Sequence, residues 1–85
     1  MYKIREEILW KVVDGEAVIV NPESNDFVYF NKTGTEIWEL LAENYGVEEI
    51  LEKLGKKYKT SQKKIQKDFE KFVEDLRKKE LIDEA

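Results

Sequence analysis

The stretch Phe27–Leu41, FVYFNKTGTEIWELL, decides how this chain folds. Phe27, Val28, Tyr29 and Phe30 all suit a pleated, half-buried strand. The period then changes. Asn31-Lys32-Thr33-Gly34 is a turn cluster, and from Thr35 the apolar residues Ile37, Leu40 and Leu41 recur on one side of a helix. Thr33 is the expected N-cap, with Glu36 three residues later as its capping-box partner. A strand that feeds a helix through a four-residue joint divides the chain into a sheet half and a helix half.

Two strands precede it. In Ile8–Val13 (ILWKVV), Ile8, Trp10 and Val12 share one face, while Leu9, Lys11 and Val13 share the other. Asp14-Gly15 follows, and Asp-Gly between apolar runs marks a two-residue hairpin because both central residues of a type I′ turn need positive φ. Glu16–Asn21 returns with Ala17 and Ile19 on one face and Val18 and Val20 on the other. Pro22–Asp26 (PESND) is a run of turn formers. Three strands joined by short turns make an antiparallel meander with the second strand central, so the first and third are edges.

Downstream, the first helix runs to about Asn44, with Gly46 as its left-handed stop. Val47–Tyr58 forms a second helix whose inner stripe is Ile50, Leu51, Leu54 and Tyr58. Gly55 weakens that helix by roughly 1 kcal/mol relative to Ala. Thr60 or Ser61 caps a third helix, with Ile65, Phe69, Phe72, Val73 and Leu76 as its inner stripe. Glu80-Leu81-Ile82 folds back over the core end. The expected fold is α+β: a three-stranded antiparallel sheet followed by three α-helices, in one domain over residues 1–85. The second and third helices form a helix-turn-helix pair beside the sheet, a winged helix-turn-helix-like arrangement.

Composition removes most chemistry. The chain has no cysteine and no histidine, which excludes disulfides, Cys/His zinc sites and Cys or His nucleophile systems. The carboxylate pairs Glu6/Glu7, Glu48/Glu49 and Asp83/Glu84 are adjacent in sequence, so they do not converge on one face. Ser24 and Ser61 have no histidine to activate them, and the glycines form no phosphate loop. No catalytic residue, metal site or cofactor is expected, and the chain reads as a non-enzyme. No apolar run is long enough to span a bilayer, and MYKIREEIL lacks the apolar stretch of a secretory signal. The expected location is the cytoplasm, with no membrane partner.

Charge is polarised along the chain. Residues 1–55 carry 5 basic and 12 acidic side chains, whereas residues 56–79 carry 10 basic and 4 acidic, so the third helix presents a positive field on an acidic protein. Lys56, Lys57, Lys59, Lys63, Lys64, Lys67 and Lys71 could sit on phosphates, which gives a small winged-helix DNA-binding protein as one reading. Against it, only Gln62 and Gln66 suit base edges, and the acidic sheet half would repel DNA.

The stronger reading is peptide capture. The third strand is an aromatic edge with no charge between Phe27 and Phe30, whereas the first strand carries Lys11. Proteins usually guard such edges with Lys or Pro. A bare edge is what strand addition needs, because an incoming peptide gains main-chain hydrogen bonds there. The alternative is that the N-terminal segment or a second copy of the chain covers the edge. A monomer or weak dimer is compatible with both.

At FNKTGTEIWELL, Phe30–Leu41, the sequence resembles the LNxTGxxIWxLL signature of the PqqD-like family, the peptide chaperones of pyrroloquinoline quinone biosynthesis. The likeness continues upstream through ILWKVVDGEAVIVNPESNDFVYF and downstream through VEEILEKLGKKY and DFEKFVEDLRKKELI, so it covers residues 8–82. Phe30 stands where the family usually has Leu, and the family's N-terminal Pro is missing here. The resemblance implies a recognition element for ribosomally synthesised, post-translationally modified peptides. Such a domain binds the N-terminal leader of a precursor peptide and presents it to a maturation enzyme in natural product biosynthesis. That partner would be a radical SAM enzyme, a leader peptidase or a cyclase. By the same resemblance the leader adds as a fourth strand between the third strand and the third helix. The implied peptide-binding residues are Asp26, Phe27, Val28, Tyr29 and Phe30 on the edge. Lys64, Asp68, Lys71, Phe72 and Asp75 form the helix wall, while Ile37 and Trp38 pack the core. A basic helix facing this edge would suit an acidic leader.

Overall fold

Asp14 and Gly15 turn the chain with φ of 52° and 79°, the signs that a type I′ turn requires. In this computed structural model, which describes residues 2–84, the turn joins β2 (Leu9–Val13) to β3 (Glu16–Asn21) with Val13 opposite Glu16. Met1 and Ala85, the two ends of the expected 1–85 domain, lie outside the described residues. A third strand, β4 (Asp26–Tyr29), pairs with the other side of β3, so the sheet order is β2-β3-β4 and every pairing is antiparallel. The helices follow: α1 (Lys32–Ala42), α2 (Val47–Tyr58) and α3 (Gln62–Lys78). The expected α+β architecture is therefore present, a sheet followed by a helix-turn-helix pair.

The register sorts the two faces of the sheet. Ala17 and Ile19 point inward and are fully buried. Leu9, Val13, Phe27 and Tyr29 lie on the opposite face, exposed to solvent. Trp10 and Val12 share the inner face, yet remain 37% and 39% exposed, because α1 packs over β3 rather than over β2. Trp38 of α1 reaches Trp10 edge-on, with ring centroids 5.9 Å apart, and Phe30 at 5.5 Å. From there the core runs through Leu41, Ile50, Leu54, Ile65, Phe69, Val73 and Leu76. Most of the expected inward stripes lie in this core; Leu40, Leu51 and Phe72 are only partly buried against it, and Tyr58, expected at the inner end of the α2 stripe, is exposed.

A buried hydroxyl ties helix to sheet. The Ala17 N–H donates to Thr35 Oγ1 at 2.7 Å, and Thr35 is 2% exposed. The Ala17 carbonyl accepts from Phe30 N–H instead, at 3.0 Å. Replacing Thr35 with the near-isosteric Val leaves a buried amide without a partner. That variant is expected to lose about 1–3 kcal/mol of stability, read from the shift in urea midpoint at constant m.

Two local expectations need correction. The N-cap of α1 is Asn31, not Thr33: Gly34 N–H donates to Asn31 Oδ1 at 2.8 Å. Asn outranks Thr as a cap and directly follows Phe30, so the helix begins two residues earlier and Thr33 falls inside its first turn. The left-handed residue after α1 is Asn44, at φ 65°, not Gly46. Asn tolerates that conformation, which leaves Gly46 extended at φ −71° as the N-cap of α2. Ser61 caps α3 as expected, accepting from Lys64 N–H at 3.2 Å.

The chain ends pair with each other. β1 (Tyr2–Ile4) and β5 (Ile82–Glu84) form a separate two-stranded antiparallel sheet, with Ile4 opposite Ile82. Leu81 and Ile82 are buried, so the expected fold-back over the core is made by a strand. Arg5 stitches this end: its N–H donates to the Leu81 carbonyl at 3.1 Å, and its side chain meets Glu7 at 3.3 Å. At the opposite end Lys57 bridges α2 to Glu36 of α1 at 2.7 Å. The hydrogen bond to Glu36 raises the Lys57 ammonium above its ordinary 10.5. The bridge is thus complete at neutral pH and is lost only as pH rises through that raised value.

Candidate functional site

The position of β4 makes the site. It is the last strand of its sheet, and its outer edge has no strand paired to it among the described residues. The N-terminal segment that could have covered it is engaged with β5 instead. Phe30 N–H donates to Ala17 O, and Ile19 lies opposite Val28. By the alternation of an antiparallel ladder, the main-chain groups of Val28 and Phe30 therefore point into the sheet. Those of Phe27 and Tyr29 point outward and are free to pair.

Beyond the edge lies a cleft of about 550 Å³ between β4 and α3. Val28, Tyr29 and Phe30 form its strand side, and Asp68, Phe72, Asp75 and Lys79 its helix side. Asn31, Thr33, Gly34 and Ile37, at the start of α1, line it as well. Gly34 gives that floor its shape. A Cβ there would stand 3.2 Å from Phe30 Cβ and 3.2 Å from the Phe72 ring. Its absence lets the two rings meet edge-on with centroids 5.0 Å apart. Thr33, Ile37 and Asp68 also border a second hollow of about 280 Å³, walled by Leu54, Tyr58, Ile65 and Phe69.

Six of the ten residues singled out from the sequence come together here: Val28, Tyr29, Phe30, Asp68, Phe72 and Asp75. The other four lie around them. Asp26 and Phe27 begin the strand, and both are exposed. Lys64 borders the second hollow, and Lys71 lies on the outer flank of α3 with Lys78. The helix side is thus the stripe 68-72-75-79, not the stripe 64-68-71-75. The wall that faces the edge carries two carboxylates and Lys79, while Lys64 and Lys71 flank it. Asp75 is neutralised by Lys79 at 2.6 Å. Lys79 was legible in principle, since it continues the spacing of Asp68, Phe72 and Asp75. Asn31 and Gly34 were hidden by their roles as cap and turn.

A meander whose β4 edge is unpaired and faces a helix across a cleft defines a winged-helix-like domain whose sheet has room for one more strand. Comparison with known proteins names the family: the chain belongs to the PqqD family, whose model, coenzyme PQQ synthesis protein D, matches residues 16–82. Among solved structures, TbiB1 in complex with the TbiA(beta) leader peptide is 25% identical. It superimposes with a TM-score of 0.93, over 98% of this chain and 96% of that one. A lasso peptide synthetase B1 complexed with the leader peptide shares the fold at 18% identity and a TM-score of 0.89, covering 98% of each chain. A search of the curated proteins finds no match.

Proposed function

We propose that this protein is a peptide-binding chaperone that captures the leader of a ribosomal precursor peptide by strand addition to β4 and presents it to a modifying enzyme. The observation that carries this reading is the outer edge of β4, bare of a partner strand and bordered by a cleft. Family membership and the two leader-bound structural neighbours support it. Main-chain pairing at Phe27 and Tyr29 supplies affinity, while the apolar walls of Val28, Phe30, Ile37 and Phe72 select side chains.

The chain acts as one domain and does no chemistry of its own. It raises the effective concentration of substrate at its partner, which requires affinity and geometry only. The partner is a maturation enzyme, of the radical SAM, leader-peptidase or cyclase type, working in the cytoplasm. No helix among the described residues is long and apolar enough to cross a membrane. The test is NMR titration of the labelled protein with a synthetic leader from a precursor encoded beside its gene. The amides of residues 26–31 are expected to shift most, and the Tyr29 amide is expected to gain protection from exchange. Shifts confined to α2 and the N-terminal half of α3 would overturn the reading. Salt gives a second readout: strand addition weakens mildly as salt rises, whereas phosphate contacts on DNA weaken steeply.

A further inference from the structure

Three hollows on this molecule meet at one side chain. Asp68 lines the cleft beside β4, the chamber between the three helices, and the shallow flank of α3 next to Lys71. Its carboxylate has no hydrogen bond or ion pair among the described residues, although Asp75, two turns along the same stripe, is bridged by Lys79. Lys64 and Lys71 stand four residues before and three after it, spacings that bring side chains together on a helix. Neither ammonium lies within bridging distance of the Asp68 carboxylate, so the wall opposite the bare edge presents one uncompensated negative charge.

In the free protein this charge is solvated and costs nothing. A strand laid between β4 and α3 would cover it. A carboxylate removed from water without a partner is strongly penalised, whereas one paired with a cation and hydrogen-bonded is not. An occupant of the cleft that brings its own cationic donor avoids that cost. We infer that the captured peptide presents a lysine or arginine side chain to Asp68, which makes Asp68 a specificity-determining residue for the leader. This rests on the strand-addition reading and sharpens it. A leader that is acidic overall can still meet the flanking lysines, but its residue opposite Asp68 carries a positive charge. The wall thereby reads one charge at one register, and a leader slipped by one residue would turn that side chain to the other face.

The test is a selection. Random 15-residue peptides displayed on phage are enriched on the wild-type protein and, in parallel, on Asp68→Lys. Asp68 is exposed, and circular dichroism of the variant confirms that its fold is kept. Wild-type binders are expected to align on an apolar strand pattern with Lys or Arg at one fixed position. Binders of Asp68→Lys are expected to carry Asp or Glu at that position. Synthetic peptides should then lose about tenfold in affinity when the charge and the protein variant are mismatched, and regain it on the double swap. The inference is overturned if both selections yield the same charge pattern, or if Asp68→Asn leaves every wild-type binder unaffected. Tyr29→Pro separates the two ideas. Binders that ignore it show that strand addition itself is wrong, while binders that need Tyr29 and ignore Asp68 overturn this inference alone. Enrichment of no peptide on the wild-type protein overturns both.

Discussion

Tyr29→Pro is expected to abolish leader binding while leaving the fold intact. The main-chain groups of Tyr29 point away from β3, so the N–H that proline removes is not part of the ladder. Proline is tolerated on edge strands for this reason. The side chain lost is 71% exposed and contributes little to the core. What proline destroys is the outward donor, and its ring also stands where a fourth strand would approach. Loss of that pairing is expected to weaken binding roughly 100-fold or more. Val28→Pro is the opposite case. Its N–H faces Ile19 in the ladder, so proline there breaks the sheet and destabilises the domain. Leader affinity by fluorescence anisotropy, set beside thermal melts of both variants, separates the two. Normal binding by a folded Tyr29→Pro would refute strand addition at β4.

That contrast separates the part of the site that the residue types dictate from the part that only the folded ladder sets. The four-residue apolar run, three of its side chains aromatic, marked the edge, because nothing charged interrupts Phe27–Phe30. Which two of its amides face outward depended on ladder phase, fixed by the Phe30 to Ala17 bond and not by composition. The hairpin was legible because Asp-Gly admits few conformations, and the helical stripes because burial repeats at 3.6 residues. The helix cap was misplaced by two residues because Asn31 and Thr33 are both competent caps, and only the end of β4 decides between them. The pairing of Tyr2–Ile4 with Ile82–Glu84 joins segments about eighty residues apart, too short to carry a periodic signal. The helix wall shifted by a turn's fraction: α3 contributes Asp68, Phe72, Asp75 and Lys79 to the cleft, and rotation about a helix axis is set by packing. Phe72 is the hinge of that shift. Its half-buried ring belongs to the core stripe and to the cleft at once, held there by Phe30.

Trp38→Ala is expected to be the most damaging single substitution for stability. The indole is fully buried and touches Phe30 and Trp10, so it joins the end of β4 to both the helix layer and the uncovered strand β2. Removing it leaves a large cavity, at about 3–5 kcal/mol. A domain of this size has roughly 4–13 kcal/mol in total at the usual 0.05–0.15 kcal/mol per residue. The melting midpoint should fall by about 4–8 °C for each kcal/mol lost, which leaves the variant marginal at 37 °C. Trp38→Phe is the informative companion. Trp38 Nε1 is buried with no hydrogen-bond partner, so phenylalanine gives up volume but also removes an unsatisfied donor. Its loss is expected to stay within about 1.5 kcal/mol. A Phe variant as unstable as the Ala variant would mean that the indole N–H matters, for instance through the face of the Trp10 ring. Leader binding should follow stability in this pair, since Trp38 reaches the cleft only through Phe30. In Tyr29→Pro the two should part, and that separation distinguishes the residue that supports the edge from the residue that is the edge.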